Sequence, residues 1–351
     1  MIDGGAGLQW NISSARQGGG GRNRYALTVT VALMLVVSWL PAAVGAAAPL
    51  QAYPVRPVRM IVPYPAGGSG DVIARLLAQR LTATLGQTII VDNRPGASGL
   101  VGTELASKAA PDGYTLLLTT STNAINVTLH PKLPYDLVRD FAPVALLARG
   151  LQVLVVHPSI AATSLKEFIA LVRTRPSQLN YVSSGSGTSG HLAMEVLKRA
   201  AGMDITHVPY KGNAPALNDL IGGQVAAMFS NVVTVIGHIK SGRLRALGVS
   251  SVQRSVLAPE IPTIAESGFP GFEVIAWFGM AVPAGTPKKI VADLNAAVLA
   301  ALASADSQER MLALGAEPVQ AVKTPEQFAE FLKADIVKWE KMIRETGVRP
   351  D

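Results

Sequence analysis

Short apolar segments alternate with longer amphipathic segments along almost the whole chain from Val55 onward. The first examples are the apolar run Val58–Pro63, the helical pattern Asp71–Leu85 and the apolar run Thr88–Asn93, and a later run at Leu151–His157 predicts another strand. Apolar runs of about four to eight residues are typical of buried strands, whereas apolar residues repeated every three or four positions are typical of helices. Strands that alternate with helices form parallel sheets covered by helices on both faces, so the pattern predicts an α/β fold.

Two Pro- and Gly-rich passages, residues 131–143 and 259–271, divide this alternating pattern. The pattern also holds more strand–helix units than one sheet of ordinary size. We interpret the two passages as crossings between two lobes, with residues 50–149 and 252–351 in lobe 1 and residues 150–251 in lobe 2. A lobe built from two segments and joined by two crossings is the hinge arrangement of clamshell receptors. Each lobe is predicted to contain a mostly parallel sheet flanked by helices.

Composition excludes several classes of protein. Of the 351 residues, 49% are hydrophobic and 16% are charged, which is typical of a globular chain with a core. The formal net charge of +7 favours anionic ligands, but no cluster of Lys and Arg with interleaved aromatic residues is present, so nucleic acid is not an expected partner. The chain contains no cysteine, which excludes disulfides, thiolate nucleophiles and cysteine metal ligands.

Residues 1–48 have the features of a secretory signal peptide preceded by a long extension. Arg22 and Arg24 precede an apolar core, Ala26–Leu40, and small residues follow that core. A basic start, a short apolar core and a small-residue cleavage site are the three parts of such a signal. The core of about 15 residues is shorter than the roughly 20 that span a membrane, and an uncleaved anchor is the alternative. We therefore predict export, cleavage near Ala46–Ala52 and a soluble mature protein.

Two loops of small residues connect a predicted strand to a predicted helix at matching positions of the two lobes. The first is Tyr64–Gly70, before a helix that begins at Asp71, and the second is Ser183–Gly190, before a helix that begins at His191. Glycine lets backbone N–H groups converge, and a helix N-terminus carries about half a positive charge, so such loops can bind anions. Ligands of open α/β sheets bind at this edge. The loops therefore predict a carboxylate site between the lobes, and the alternative is that each loop is only a tight turn.

A dinucleotide site in the second loop and an exported hydrolase are both disfavoured by the sequence. Gly185, Gly187 and Gly190 match the G-x-G-x-x-G pattern of dinucleotide sites, but the next strand ends at Pro209–Lys211 without the acidic residue that such sites use. An exported hydrolase needs a nucleophile motif or a metal-binding pair of histidines, and the five histidines are scattered. We therefore predict no enzymatic activity, no metal site and no cofactor.

Further polar residues follow strands at the same edge, namely Thr119–Asn123 in lobe 1 and Ser230–Asn231 in lobe 2. Asp71 is expected to stabilise a helix N-terminus, with binding of a ligand amine as the alternative. His191 either contacts a ligand or is solvated at the surface, and the sequence leaves both open. The aromatic pair Trp277–Phe278 is interpreted as core.

Seven sequence blocks together resemble one family. They are VPYPAGGSGD (62–71), VDNRPG (91–96), PDGY (111–114), SGSGTSGH (184–191), VPYKG (208–212), PTIAESG (262–268) and PAGTP (283–287). These blocks are similar to the signature blocks of the Bug family, the periplasmic substrate-binding components of tripartite tricarboxylate transporters. The resemblance extends from about residue 53 to residue 348.

The resemblance implies a two-lobed Venus-flytrap fold in which loops of both lobes hold a small carboxylate, partly through bound waters. It implies a periplasmic receptor, expected to be a monomer, that delivers its ligand to membrane transporter subunits; a ligand sensor for a signalling kinase is the alternative. Many family members carry Asp where this chain has Ser230, which disfavours an amino-acid ligand and favours a di- or tricarboxylate or an aromatic acid. The predicted ligand-binding residues are Tyr64, Ala66, Gly67, Gly68, Ser69, Asp71, Thr120, Ser121, Asn123, Ser184, Gly187, Thr188, His191, Ser230 and Asn231.

Overall fold

Strands and helices alternate along the described part of the chain, as the sequence predicts. The computed structural model describes residues 53–255, 258–313, 316–319 and 321–349, so the predicted signal segment 1–48 lies outside the described residues. The strands are β1 (Val58–Val62), β2 (Ile89–Asn93), β3 (Thr115–Thr120), β4 (Phe141–Val156), β5 (Asn180–Ser183), β6 (Thr206–Pro209), β7 (Ala227–Asn231), β8 (Arg245–Val249), β9 (Ile275–Pro283) and β10 (Ala316–Pro318). The helices are α1 (Ser69–Leu85), α2 (Leu100–Ser107), α3 (Ser121–Leu129), α4 (Leu165–Thr174), α5 (Ser189–Ala201), α6 (Asn213–Ile221), α7 (Val232–Lys240), α8 (Lys288–Ala303), α9 (Ala305–Ala313) and α10 (Pro325–Thr346).

The strands form two mixed half-sheets that share one long strand. Their order is β2-β1-β3-β9-β4-β7-β5-β6, with β8 and β10 also paired to β4. β1 pairs in parallel with β2 and β3 in the first half, and β5 pairs in parallel with β6 and β7 in the second. The predicted parallel pairing therefore holds for these strands, whereas every described pair that includes β4 or β9 is antiparallel. The reason is that β4 carries the chain from the first half to the second and β9 carries it back.

β4 is longer than the sequence predicts. It spans 16 residues, Phe141–Val156, whereas the apolar pattern indicates only Leu151–His157 and a loop-rich passage before it. Pro143 lies inside the strand, where the register with β9 shifts between Pro143 and Ala145. Because proline lacks an N–H group, it is accommodated in a strand at such an irregularity. The proline therefore marks a bulge here and not a loop.

A further helix begins where the sequence indicates a polar loop. Thr119 and Thr120 end β3, and α3 begins at Ser121. The Thr120 hydroxyl accepts a hydrogen bond from the Thr122 amide at 3.2 Å, and Asn123 Oδ1 accepts one from the Thr120 amide at 2.8 Å. This reciprocal capping satisfies first-turn amides that have no partner within the helix. The polar run therefore starts a helix directly at the end of a strand.

The C-terminal helix α10 packs against both halves of the fold. Its buried residues Phe328 and Leu332 belong to one apolar cluster with Leu129 of α3 and Leu192 of α5. Burial of such side chains contributes roughly 1.5–3 kcal/mol each. Among the described helices none is long and apolar enough by itself to cross a membrane, and only the pair α8–α9, bent by 74°, meets that test jointly by length and composition.

The two small-residue loops have the same local geometry. Gly67 and Gly187 have φ values of +78° and +73°, which glycine adopts without steric cost. The Gly67 amide donates a hydrogen bond to Asp71 Oδ2 at 2.9 Å, and the Gly187 amide donates one to His191 Nδ1 at 3.0 Å. In both loops the acceptor lies four residues after the donor. Asp71 and His191 therefore each close their own loop at the start of a helix.

His191 is buried in a stack of rings. Its side chain lies 3.9 Å from the His207 ring centre with an interplanar angle of 9°, and the Tyr181 ring lies 4.8 Å behind His207. Burial, with smaller contributions from nearby His207 and Lys198, lowers the pKa of His191 from 6.5 to about 3. The imidazole is therefore neutral near pH 7, and its Nδ1 has the free lone pair that the Gly187 amide requires.

We expect His191 to make folding stability pH-dependent. Because its pKa is lower in the folded protein than in the unfolded chain, its contribution is fully present above about pH 6.5 and is lost as pH falls towards about 3, at up to about 1.4 kcal/mol per pH unit. His191→Asn keeps an acceptor for Gly187 but does not titrate, so its free energy of unfolding should fall less steeply in acid. Urea denaturation between about pH 4 and pH 7.5 measures both slopes. His157→Asn, at a partly exposed histidine elsewhere, is the control, and equal slopes for all three proteins would contradict the expectation.

Candidate functional site

Four helices begin around one small cavity between the two half-sheets. The cavity has a volume of about 50 Å³, and α1, α3, α5 and α6 each contribute their first residue to its wall. Among the residues that the structure describes, no acidic or basic side chain lines it. The lining residues are Tyr64, Pro65, Gly68, Ser69, Gly70, Thr120, Ser121, Thr122, Ser184, Thr188, Ser189, Asn213, Asn231, Ala276, Trp277 and Phe278.

The first residues of these helices line the cavity, and their backbone amides are candidate hydrogen-bond donors to a ligand. Such amides have no acceptor within their own helix, and among the described residues no protein acceptor is recorded for the amides of Ser69, Ser121 or Ser189. The amides of Gly67 and Gly187 differ, because Asp71 and His191 accept from them. The donors open to a ligand are therefore those of the helix starts and not those of the loop glycines.

A chain of hydrogen bonds connects the two halves beneath the cavity. Gln152 Nε2 on β4 donates to Ser189 Oγ at 2.8 Å and lies 3.3 Å from Asn231 Oδ1. Asn231 Nδ2 in turn donates to Ser69 Oγ at 3.0 Å. Since both serine oxygens already accept a bond from an amide, both hydroxyl protons remain available to donate elsewhere. The arrangement presents two matching hydroxyl donors, one from each half.

Tyr64 adds a neutral hydroxyl group to the cavity wall. Its hydroxyl lies 2.6 Å from Thr120 Oγ1, and burial raises the pKa of Tyr64 to about 12. The phenol therefore keeps its proton at neutral pH. The amides and the serine hydroxyls give the cavity donors, and the neutral phenol adds no negative charge beside them, which suits a negatively charged group.

The predicted site residues divide into two groups. Those that line the cavity are Tyr64, Gly68, Ser69, Thr120, Ser121, Ser184, Thr188 and Asn231. Those that do not line it are Ala66, Gly67, Asp71, Asn123, Gly187, His191 and Ser230. Most of the second group supports the first, because Asn123 caps α3 and the Ser230 hydroxyl donates to Asn213 Oδ1 at 3.0 Å from behind.

Asp71 and His191 are structural at their positions. Hydrogen bonds from Arg75, Gly67 and Asn93 outweigh the effect of burial and lower the pKa of Asp71, which is therefore an ionised cap. His191 is 6% exposed and neutral, with Nδ1 occupied by Gly187. Of the two alternatives left open for His191, the solvated surface position does not hold, and its side chain does not line the cavity.

Several lining residues were missed from the sequence. Thr122 and Ser189 fall within the polar segments named from the sequence but were not among the predicted binding residues, and Asn213 was not named at all. A helix start directly after a threonine or glycine N-cap is the signal that marks Ser189 and Asn213. The pair Trp277–Phe278 gave no such signal, because a buried apolar strand has the same sequence pattern whether or not a cavity lies beside it. Both side chains are 2% exposed, and they belong to the core as predicted while also forming the cavity wall.

Trp277 is held by a buried carboxylate on α10. Its indole Nε1 donates to Asp335 Oδ2 at 2.6 Å, and Trp339 Nε1 donates to the same oxygen at 2.6 Å. Burial raises the pKa of Asp335, while the two indole donors act in the opposite direction. The C-terminal helix therefore fixes the orientation of one wall of the cavity.

A larger cavity of about 500 Å³ adjoins the small one and shares Tyr64, Pro65 and Ser184 with it. We call the two the inner and the outer cavity. Lys211 is the only Lys or Arg that lines either cavity in the described part of the chain. Burial lowers the pKa of His130, the histidine in the outer wall, so Lys211 supplies the positive charge there.

One serine–histidine pair lies near the site but outside both cavities. Ser183 Oγ lies 2.7 Å from His207 Nε2, but Ser183 is fully buried and lines neither cavity. Within the described residues no group of three or more His, Asp or Glu side chains is placed to hold a metal ion. The Ser183–His207 pair is therefore closed off from both cavities, whose described lining residues offer hydrogen-bond donors.

Residues 73–348 match the family described as "Tripartite tricarboxylate transporter family receptor". Among curated relatives, Protein BugT of Bordetella pertussis is 42% identical over 321 residues, which cover 90% of this chain and 98% of that protein.

Two solved structures have similar folds. "R. palustris Rpa4515 with adipate" has a TM-score of 0.83 at 37% identity and covers 85% of this chain and 100% of its own. "MatC (Rpa3494) from Rhodopseudomonas palustris with bound malate" has a TM-score of 0.79 at 36% identity and covers 83% and 100%. The predicted two-lobed α/β fold of periplasmic binding proteins is confirmed by these similarities. The chain belongs to the tripartite tricarboxylate transporter receptor family, the family that its sequence blocks resemble.

Proposed function

We propose that this protein is a periplasmic receptor that binds a small carboxylate between its two lobes and delivers it, chemically unchanged, to the membrane subunits of a tripartite transporter. The observation that carries the proposal is the convergence of unpaired first-turn amides and two serine hydroxyls on a cavity without charged side chains. The adipate and malate in the two similar structures support the same class of ligand.

The two cavities divide the ligand between them. The inner cavity, at about 50 Å³, has room for a carboxylate but not for a whole dicarboxylic acid. Each helix start stabilises a negative group there by about 0.3–1 kcal/mol, and charge-assisted hydrogen bonds from Ser69 and Ser189 add to this. The remainder of the ligand extends past Tyr64 and Ser184 into the outer cavity. Recognition of the carboxylate is thus separated from selection of the rest of the molecule.

The lobes and the export signal belong to the same proposal. β4 pairs with β9 up to Leu151 and with β7 from Gln152 onward, which supports a lobe boundary near residue 150. A signal cleaved near Ala46–Ala52 would leave the whole described region as a monomeric receptor in the periplasm. A receptor of this kind needs no catalytic group, in keeping with the neutral site.

A carboxylate ligand should raise the melting temperature of the protein. A ligand at about 100 times its dissociation constant stabilises the folded state by about 2.7 kcal/mol, which corresponds to several degrees. A thermal-shift screen of mono-, di- and tricarboxylic acids measures this directly. Flat melting curves with every acid would contradict the proposed function.

Loss of either cavity serine should weaken binding of the acid found in that screen. Ser69→Ala or Ser189→Ala removes one hydrogen bond to a charged group, worth about 1.5–3 kcal/mol, so we expect affinity to fall about tenfold or more in calorimetric titrations. Ser107→Ala is the matched control, because the Ser107 hydroxyl bonds to Glu104 O away from both cavities. Equal affinities of all three variants would place the ligand elsewhere.

Lys211 indicates a ligand with a second negative group. It is exposed, lines the outer cavity and joins none of the ion pairs found among the described residues. Lys211→Met should weaken binding of a dicarboxylate several-fold, as expected for loss of a solvent-accessible ion pair of about 1 kcal/mol. Binding of the half-amide of the same acid should be unchanged. Lys166→Met on α4 is the control. A uniform loss for the diacid and the half-amide would show that Lys211 does not recognise the second charge.

A further inference from the structure

The turn before α2 has an unusual backbone. Four consecutive residues have positive φ, with Gly96 at +144°, Ala97 at +45°, Ser98 at +51° and Gly99 at +91°. Glycine adopts such values freely, but for Ala97 and Ser98 this conformation is unfavourable and costs free energy. Backbone strain of this kind persists only where surrounding contacts enforce it, and it is concentrated at functional positions. We call residues 96–99 the strained turn.

Contacts within the first half hold the strained turn in place. Asn126 Nδ2 on α3 donates to the carbonyl oxygen of Ser98 at 3.1 Å, and the Thr103 hydroxyl on α2 donates to that of Gly99 at 2.8 Å. The Gly99 amide closes the turn on Gly96 O at 3.0 Å. Two helices therefore support a conformation that the sequence Ala-Ser disfavours.

The strained turn reaches across the outer cavity to the other half. The Ser98 hydroxyl donates to the carbonyl oxygen of Ser186 at 2.9 Å. A Cβ on Gly185, whose φ is +139°, would lie 2.7 Å from Ser98 Oγ, so a larger residue there would displace the Ser98 hydroxyl. Ser186 lies in the loop that leads into α5, next to Thr188 and Ser189 of the inner cavity.

We propose that Ser98 is a latch: a positioning residue that fastens the 184–188 loop of the second lobe to the first lobe and slows release of the bound acid. This rests on the proposed receptor function. Ser98 lines the outer cavity but not the inner one, so it acts on the carboxylate donors through the loop that carries them. The strained backbone directs its hydroxyl across the cleft, where a relaxed turn would withdraw it.

Ser98→Ala and Ser98→Gly test the latch with opposite effects on stability. Both remove the hydroxyl, so the dissociation rate of the probe, radiolabelled adipate, should rise about two- to tenfold while the association rate stays unchanged. Glycine also relieves the positive φ, so Ser98→Gly should melt at the wild-type temperature or above it. A residue with a merely structural role would instead change stability and dissociation together. Ser107→Ala, at the end of α2, is the control and should match wild type in dissociation rate and in melting temperature.

Hydrogen exchange of the ligand-free protein tests the latch without any acid. Amides of the 184–188 loop should exchange several-fold faster in both Ser98 variants, because the loop is no longer fastened across the cleft. Faster exchange confined to residues 96–104, or no change at all, would overturn the proposal. If adipate binds neither wild type nor variants, that result counts against adipate as a ligand, and the exchange measurement alone decides on the latch.

Discussion

The unpaired amides at helix starts are the constraint on which the rest of this structure depends. Each of β1, β3, β5 and β6 is followed by a helix, and the parallel order within each half brings those helix starts to one edge. The antiparallel pair β4–β9 then sets the two edges against each other. An exposed first turn needs small or polar residues around it, since a large side chain would cover the donors. The wall of Ser, Thr, Gly and Asn follows from that need, as does the absence of charged side chains from the inner cavity.

The sequence carried much of this information, and what it did not carry has physical reasons. The two small-residue loops were predicted because glycine in a strand–helix connection is a local signal. The start of α3 at Ser121 was not predicted as a helix, since Thr and Asn favour loops and helix caps equally. The residues that line the cavity could not be separated by sequence from those that support the loops. Both kinds occur in the same short runs of small and polar residues, four positions apart. Only the hydrogen bonds of Gly67 and Gly187 show that Asp71 and His191 complete their own loops.

The two lobes have the same loop geometry, but a different residue accepts the hydrogen bond from the loop glycine in each. Asp71 is ionised and is balanced by Arg75 and Asn93, whereas His191 is neutral and is stacked on His207. An ionised acceptor needs a nearby cation, and a neutral imidazole needs a dry environment. Neither acceptor adds a free negative charge to the cavity, so both lobes remain suited to an anion. The choice of acceptor therefore follows from what packs behind each loop, and it explains why two similar loops carry different residues at equivalent positions.

The carboxylate of Asp335 joins the only two tryptophans that the chain contains beyond residue 52. Trp277 forms part of the inner cavity wall, while Trp339 lies behind it on the C-terminal helix. Indole emission depends on the polarity and the hydrogen bonding around the ring. Because Trp277 lines the inner cavity and shares its carboxylate partner with Trp339, a ligand in that cavity is expected to alter intrinsic fluorescence with no dye, label or engineered residue.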